Sequence, residues 1–183
     1  MVKVLLALPG VDPDTINADG RTPLLWAAAG RHEGVVRMLL DRADVDPNRK
    51  DKYGQTPLSR ATSAGDERVA QMLLERGDVN PNTANNGGQA PLHIAVREGH
   101  EGVVKMLLDR NDVDPNTTNQ DGQTPLTVAA EMGREGVVKT LLERVDVNPN
   151  TVYGGGSAPL CIAAWEGREG VVKIRVPNSL RMD

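Results

Sequence analysis

The side chains most able to do chemistry in this chain are three histidines, one cysteine and a recurring set of aspartates. A zinc-protease helix needs two histidines one turn apart flanking a glutamate, so that both ring nitrogens meet one metal. His32-Glu33 and His100-Glu101 begin that pattern, but no second histidine follows at the required place. His93 stands apart from both, so the three do not form a cluster in the sequence. Asp44-Val45-Asp46-Pro47-Asn48 and Asp112-Val113-Asp114-Pro115-Asn116 carry the alternating oxygens that open a calcium loop. Such a loop also requires glycine at the sixth place and a bidentate glutamate at the twelfth. Here the twelfth place falls on Gln55 or Gln123, the glycine is missing, and proline stiffens the middle. Turn formation by the Asx side chains is the expected role instead. Gly87-Gly88 and Gly154-Gly155-Gly156 lack the Lys and Ser/Thr of a phosphate loop and read as turns. With no acid, base and nucleophile converging, we expect no enzyme, no catalytic residue, no metal and no cofactor.

Bulk properties narrow the classes further. The net charge of −4 provides no general basic face for phosphate, so no nucleic acid is expected as partner. The aromatic set is Trp26, Tyr53, Tyr153 and Trp165, too few for a base-stacking platform. Cys161 has no second cysteine to pair with, which suits a reducing compartment. The opening MVKVLLALPG is too short for a membrane span and lacks a signal cleavage site. Without a signal peptide, Asn116-Thr117-Thr118 is a chance match to the glycosylation pattern. The expectation is a soluble monomer in the cytoplasm, with the nucleus as the alternative, and no membrane contact.

The elements that would position any site come from a repeat. Thr-Pro-Leu or Ala-Pro-Leu recurs at Thr22, Thr56, Ala90, Thr124 and Ala158, each step 34 residues. The match runs through the whole unit, giving repeats at 17–50, 51–84, 85–118 and 119–152, an incomplete one at 153–183, and a partial one at 1–16. Within a unit, Thr22-Pro23 supplies an N-cap hydroxyl and a proline at the first helical position. Leu24, Ala27 and Ala28 give a short helix with a small-residue face. Gly65, Gly99, Gly133 and Gly167 then stop the first helix. Val35, Val36, Leu39 and Leu40 form one apolar stripe on a second helix. Glu33, Arg37 and Asp41 line its outer face at i, i+4 spacing. Val45-Asp46-Pro47-Asn48 ends it, and Asp51-Lys52-Tyr53-Gly54 forms the next turn. One such unit cannot bury its own stripe, whereas stacked units seal a continuous core.

Asp51-x-x-Gly54-x-Thr56-Pro57-Leu58, Ala-Pro-Leu-His-Ile-Ala at 90–95, and Gly99-His100 followed by Val103-Val104 and Leu107-Leu108 resemble the ankyrin repeat. The extra residue over the usual period lies in the Asp-Val-Asp-Pro-Asn exit, and the unit is similar to the 34-residue variant of long fungal arrays. The resemblance covers nearly the whole chain. It implies an all-α ankyrin-repeat solenoid of helix-turn-helix units joined by extended finger loops. It also implies that His93 ties adjacent loops, and that a protein partner is held by the finger tips and the concave side of the first helices. Carried over place by place, the finger positions are Asp19, Arg21, Lys52, Tyr53, Gln55, Asn86, Gln89, Gln120, Asp121 and Gln123. The first-helix positions are Arg97, Glu98, Glu131, Met132, Trp165 and Glu166. These are the places where the copies differ most. Arg21, Lys52 and Arg97 lie toward one end of the groove, and Asp121, Glu131 and Glu166 toward the other. A partner with the opposite gradient is expected, with Trp165 either its anchor or a cover for the flank of the last repeat. The alternative function is a structural spacer, or a truncated relic of a larger repeat protein.

Four departures from the pattern carry their own expectations. Arg31 stands where other units have glycine, which predicts a distorted turn. Arg60 occupies the slot of Trp26, Ile94, Val128 and Ile162, which should be core; it either snorkels to water, anchors a partner or pairs with an acid. Arg175-Val176-Pro177 replaces the expected Leu-Leu, so the last helix should stop near Val176. The segment 1–16 lacks a first helix, and neither end carries a polar cap. Both ends should therefore fray, and the chain reads as part of a longer array.

Overall fold

The computed structural model describes residues 2–6, 8, 10–152 and 157–174. The expectations for the glycine turn at 154–156 and for residues 175–183 lie outside them. Helix α1 spans Val2–Leu6. Five helix pairs follow: α2 (Pro23–Ala29) with α3 (Glu33–Leu40), α4 (Pro57–Ala64) with α5 (Glu67–Glu75), α6 (Pro91–Glu98) with α7 (Glu101–Leu108), α8 (Pro125–Met132) with α9 (Glu135–Leu142), and α10 (Pro159–Trp165) with α11 (Glu169–Val172).

Each first helix opens on proline, where a missing N–H costs nothing. Thr22, Thr56 and Thr124 accept from the backbone N–H three residues on, at 3.2, 3.2 and 3.3 Å. Gly65, Gly99 and Gly133 then turn left-handed and end the helix. Arg31 adopts the same conformation, with φ of 58°. The His32 N–H still reaches the Ala27 carbonyl at 2.9 Å, as His100 reaches Ala95 at 2.9 Å. The distorted turn expected there is therefore not found: the stacking geometry holds the turn and places Arg31 in a region L-residues rarely visit.

First helices stack in one layer and second helices in another. The α4–α6, α6–α8 and α8–α10 junctions repeat one pattern. Leu92, His93 and Val96 of α6 look forward and are buried, while Pro125 and Val128 of α8 look back and are buried. The second-helix stripes close the same core, with Val69, Leu73, Val104, Leu107, Val138 and Leu141 all at 3% exposure or less. Burial of that kind is worth about 1.5–3 kcal/mol per large side chain. On the outer edge, Glu67, Glu101 and Glu135 sit against Gly102, Gly136 and Gly170 of the next unit, so close that a Cβ there would collide with the carboxylate.

The exit loops are tied across units. Arg42, Arg76, Arg110 and Arg144 each pair with the aspartate two residues on and donate to the end of the preceding second helix. Asn48, Asn82 and Asn116 donate to the Asp78, Asp112 and Asp146 carbonyls at 2.6, 2.5 and 2.6 Å. The acidic runs are thus engaged in Asx turns and cross-links between units.

Two expectations about the core need correction. Ile94, Val128 and Ile162 are buried in their shared slot, but Trp26 is 50% exposed, because no first helix lies in front of α2 among the described residues. Helix α11 ends at Val172, ahead of Val176. Among the described residues, no helix is long and apolar enough to cross a membrane.

Candidate partner-binding groove

The fingers are built from one side chain each. Asn17, Asp51, Asn85 and Asn119 accept, through Oδ1, the backbone N–H groups two and four residues ahead, at 2.9–3.0 Å. Gly20, Gly54, Gly88 and Gly122 complete the turns with φ of 71–78°. Adjacent fingers bond edge to edge: Lys52 N–H to the Asp19 carbonyl at 2.8 Å, Asn86 to Tyr53 at 3.0 Å, and Gln120 to Gly87 at 3.2 Å. His93 is buried and its Nε2 meets the Gln123 carbonyl at 3.1 Å, tying one helix to the next finger. Burial holds its ring below the usual histidine range. His93 therefore serves the scaffold, and His100 likewise meets the Ser63 carbonyl at 3.3 Å. Among the described residues, no group of three or more His, Cys, Asp or Glu side chains could hold a metal ion.

On this frame the predicted residues fall into two sets. Lys52, Tyr53, Glu98, Gln120, Asp121, Met132, Trp165 and Glu166 are exposed. Tyr53 is 49% exposed, Met132 42% and Trp165 89%, which leaves apolar area open to a ligand. Asp19, Arg21, Gln55, Gln89, Arg97 and Glu131 are half-buried in the seam between fingers and first helices. Gln55 accepts from Ser59 Oγ at 2.7 Å, Gln89 from Arg97 at 2.9 Å, and Glu131 from Gln123 Nε2 at 2.6 Å. Glu131, Ser157, Cys161, Ile162, Trp165 and Glu166 line an open hollow of about 470 Å³.

A basic and aromatic corner sits at the other end of the groove, and the sequence reading placed only part of it. The Asp51 side chain is fully buried; its Oδ2 lies 2.8 Å from Arg60 and 3.5 Å from Arg21. Burial alone would raise this carboxyl, but the Arg60 hydrogen bond and the Gln55 and Tyr53 backbone N–H groups outweigh it, leaving the group below the usual range. Of the three roles open to Arg60, pairing with an acid is the one observed. Arg21 also lies over the Trp26 ring at 4.8 Å, and Lys52 over Tyr53 at 5.0 Å. Hydrogen bonding by Lys52 holds Asp19 low, and Asp19 raises Lys52 in turn. Trp26 was assigned to core because its slot is core elsewhere; the missing first helix before it was the signal that it would be open.

Stacked helix pairs joined by fingers define a helical-repeat solenoid. The description "Ankyrin repeats (3 copies)" matches residues 1–85, 44–119 and 92–176, and the chain belongs to the ankyrin-repeat family. Ankyrin repeats are generally protein-interaction modules. No curated protein matches the chain.

Proposed function

We propose that this chain holds a protein partner in the groove between its finger tips and the concave side of its first helices. The observation that carries this reading is the open apolar area of Tyr53, Met132 and Trp165 on a strip whose flanking residues change from unit to unit. Large aromatics at outward positions are the usual dominant contributors to binding. The end that carries Arg21, Lys52 and Arg97, where Asp51 and Asp19 offset part of the charge, and the Asp121–Glu131–Glu166 end favour a partner of the reverse polarity. The reading takes a single chain as the binding unit. The same reading makes the chain a non-catalytic binder of protein, independent of nucleic acid and membrane, working in the cytoplasm or nucleus. It assigns the repeat boundaries 17–50, 51–84, 85–118 and 119–152 as the units of binding.

The test is a pull-down with the folded chain, with captured proteins identified and quantified. Tyr53→Ala, Arg97→Ala and Trp165→Ala should each reduce capture of the same protein, while Lys105→Ala and Lys139→Ala on the outer helices should not. A wild-type chain that captures nothing above background, or capture that the groove variants leave unchanged, would support the spacer alternative.

A further inference from the structure

Units 17–50 and 51–84 meet at a junction unlike the others. Units 85–118 and 119–152 begin on Asn85 and Asn119 and carry apolar Ile94 and Val128 in the shared slot. Unit 51–84 has Asp51 and Arg60 at those two places. The two exchanges belong together, because Arg60 Nη2 donates to Asp51 Oδ2 at 2.8 Å. One cation balances one carboxylate, yet Arg21 of the preceding unit lies on the same oxygen, its Nε 3.5 Å away. Arg21 stands where the later units have Gln55, Gln89 and Gln123. Two guanidiniums around one carboxylate leave one positive charge in surplus.

That surplus faces solvent. Arg21 and Arg60 keep 20% and 27% of their side chains exposed, whereas Asp51 keeps none, so water meets the cations and not the anion. Gln55, Gln89 and Gln123 are half-buried at the same place, as Arg21 is, so its exposure is that of an inner unit. Among the described residues, the Arg21 side chain makes no hydrogen bond, and Arg60 uses only Nη2. Idle donors in a partly dry seam are costly until a ligand takes them. In the next two units the seam is closed: Arg97 donates to Gln89 at 2.9 Å, and Gln123 to Glu131 at 2.6 Å. At the places of Arg97 and Glu131, units 17–50 and 51–84 have Ala29 and Ser63, too short to close over Arg21 and Arg60.

We infer that Arg21 and Arg60 form a subsite for one aspartate or glutamate side chain of the partner. The inference rests on the groove proposed for this chain and names the chemistry of one contact within it. A guanidinium fork matches a carboxylate, and two forks can each take one of its oxygens. The guest brings two cations and two anions into balance. A phosphate dianion would overshoot and press excess negative charge toward Asp51. Asp51 is the positioning residue: buried and ionised, it holds both guanidiniums before the guest arrives, which reduces the ordering cost of two long side chains. Lys52 and Asp19 pair with each other at 2.5 Å and add no net charge beside the subsite.

The experiment is calorimetric titration of the full chain with capped hexaglutamate at low ionic strength. Capped hexaglutamine and a capped serine hexapeptide bearing three phosphates, matched to hexaglutamate in charge, are the comparisons. Two variants remove the subsite with residues that other units use at the same places: Arg21→Gln, and Asp51→Asn combined with Arg60→Ile. Units with those residues fold, so both variants should fold as well; circular dichroism checks this. Wild type should bind hexaglutamate and not hexaglutamine, and the binding should weaken as salt rises. Each variant should raise the Kd for hexaglutamate by at least about tenfold, while Lys105→Ala on an outer helix should change it by less than about twofold. Wild type that ignores hexaglutamate, variants that bind it as wild type does, or tighter binding of the phosphopeptide would each overturn the subsite. In the pull-down, capture of a protein that the Asp51→Asn, Arg60→Ile variant leaves unchanged would overturn the subsite and leave the groove standing. A chain that captures nothing would instead sink the groove reading, and the hexaglutamate titration still decides the subsite by itself.

Discussion

The exit loops and the fingers are both built on Asx turns, yet they direct their side chains to opposite ends. In the exit loops, Arg76 binds the Leu40, Arg42 and Val45 carbonyls of the preceding unit, and Asn82 binds the Asp112 carbonyl of the next. In the fingers, backbone N–H to carbonyl bonds join the units beside side-chain bonds from Lys52, Asn86 and Gln120, and Tyr53 and Gly87 take part only through their backbone carbonyls, so that position can differ without breaking the bond. Side-chain bonds fix residue type along the exit-loop edge; the finger places that bond only through the backbone leave it free.

The shared core beneath both edges sets the scale for testing this contrast. Leu107→Ala, at a fully buried site reached by units on either side, should cost about 2–5 kcal/mol in urea unfolding. Arg76→Ala comes next, at about 2–3 kcal/mol, because charge-assisted bonds are lost and carbonyls are left without a donor. Should it cost no more than a finger substitution, the distinction between the edges fails.

Asp51 joins the two behaviours, since a finger residue here is buried. Its carboxyl is held low when folded, so its contribution is full above the unfolded value near ~4 and is lost as pH falls through the lowered folded value. Asp51→Asn should cost about 1–2 kcal/mol at neutral pH, and its stability curve should converge on wild type in acid. A constant gap at every pH would show that the charge is not what stabilises the wild-type finger. The smallest effects belong to Tyr53→Ala and Trp165→Ala, which should change stability by no more than about 0.5 kcal/mol. The same two changes should weaken partner binding by about 2 kcal/mol or more, measured by calorimetry once a partner is in hand.

Much of this was legible in the sequence because local chemistry and period agree. Thr-Pro-Leu starts, glycine stops and an i, i+1, i+4, i+5 stripe each report on residues a turn away. The exposed half of the candidate groove, from Lys52 and Tyr53 to Met132 and Trp165, followed from the register in the same way. Arg31 misled because a turn with its glycine one place early reads as broken, whereas the chain still turns left-handed at Arg31 and keeps the His32 to Ala27 bond. Trp26 misled because a slot's burial belongs to the junction and not to the residue.

The sequence by itself determined the unit, where its helices start and which positions vary, since these depend on contacts within a few residues or on repetition at a fixed step. Only the tertiary structure decided that Asp51 would be sealed between Arg21 and Arg60, and that Gln55, Gln89 and Glu131 would be tied into the seam. Those outcomes depend on which side chains neighbouring units bring together and what water they exclude, and that is settled when the units pack.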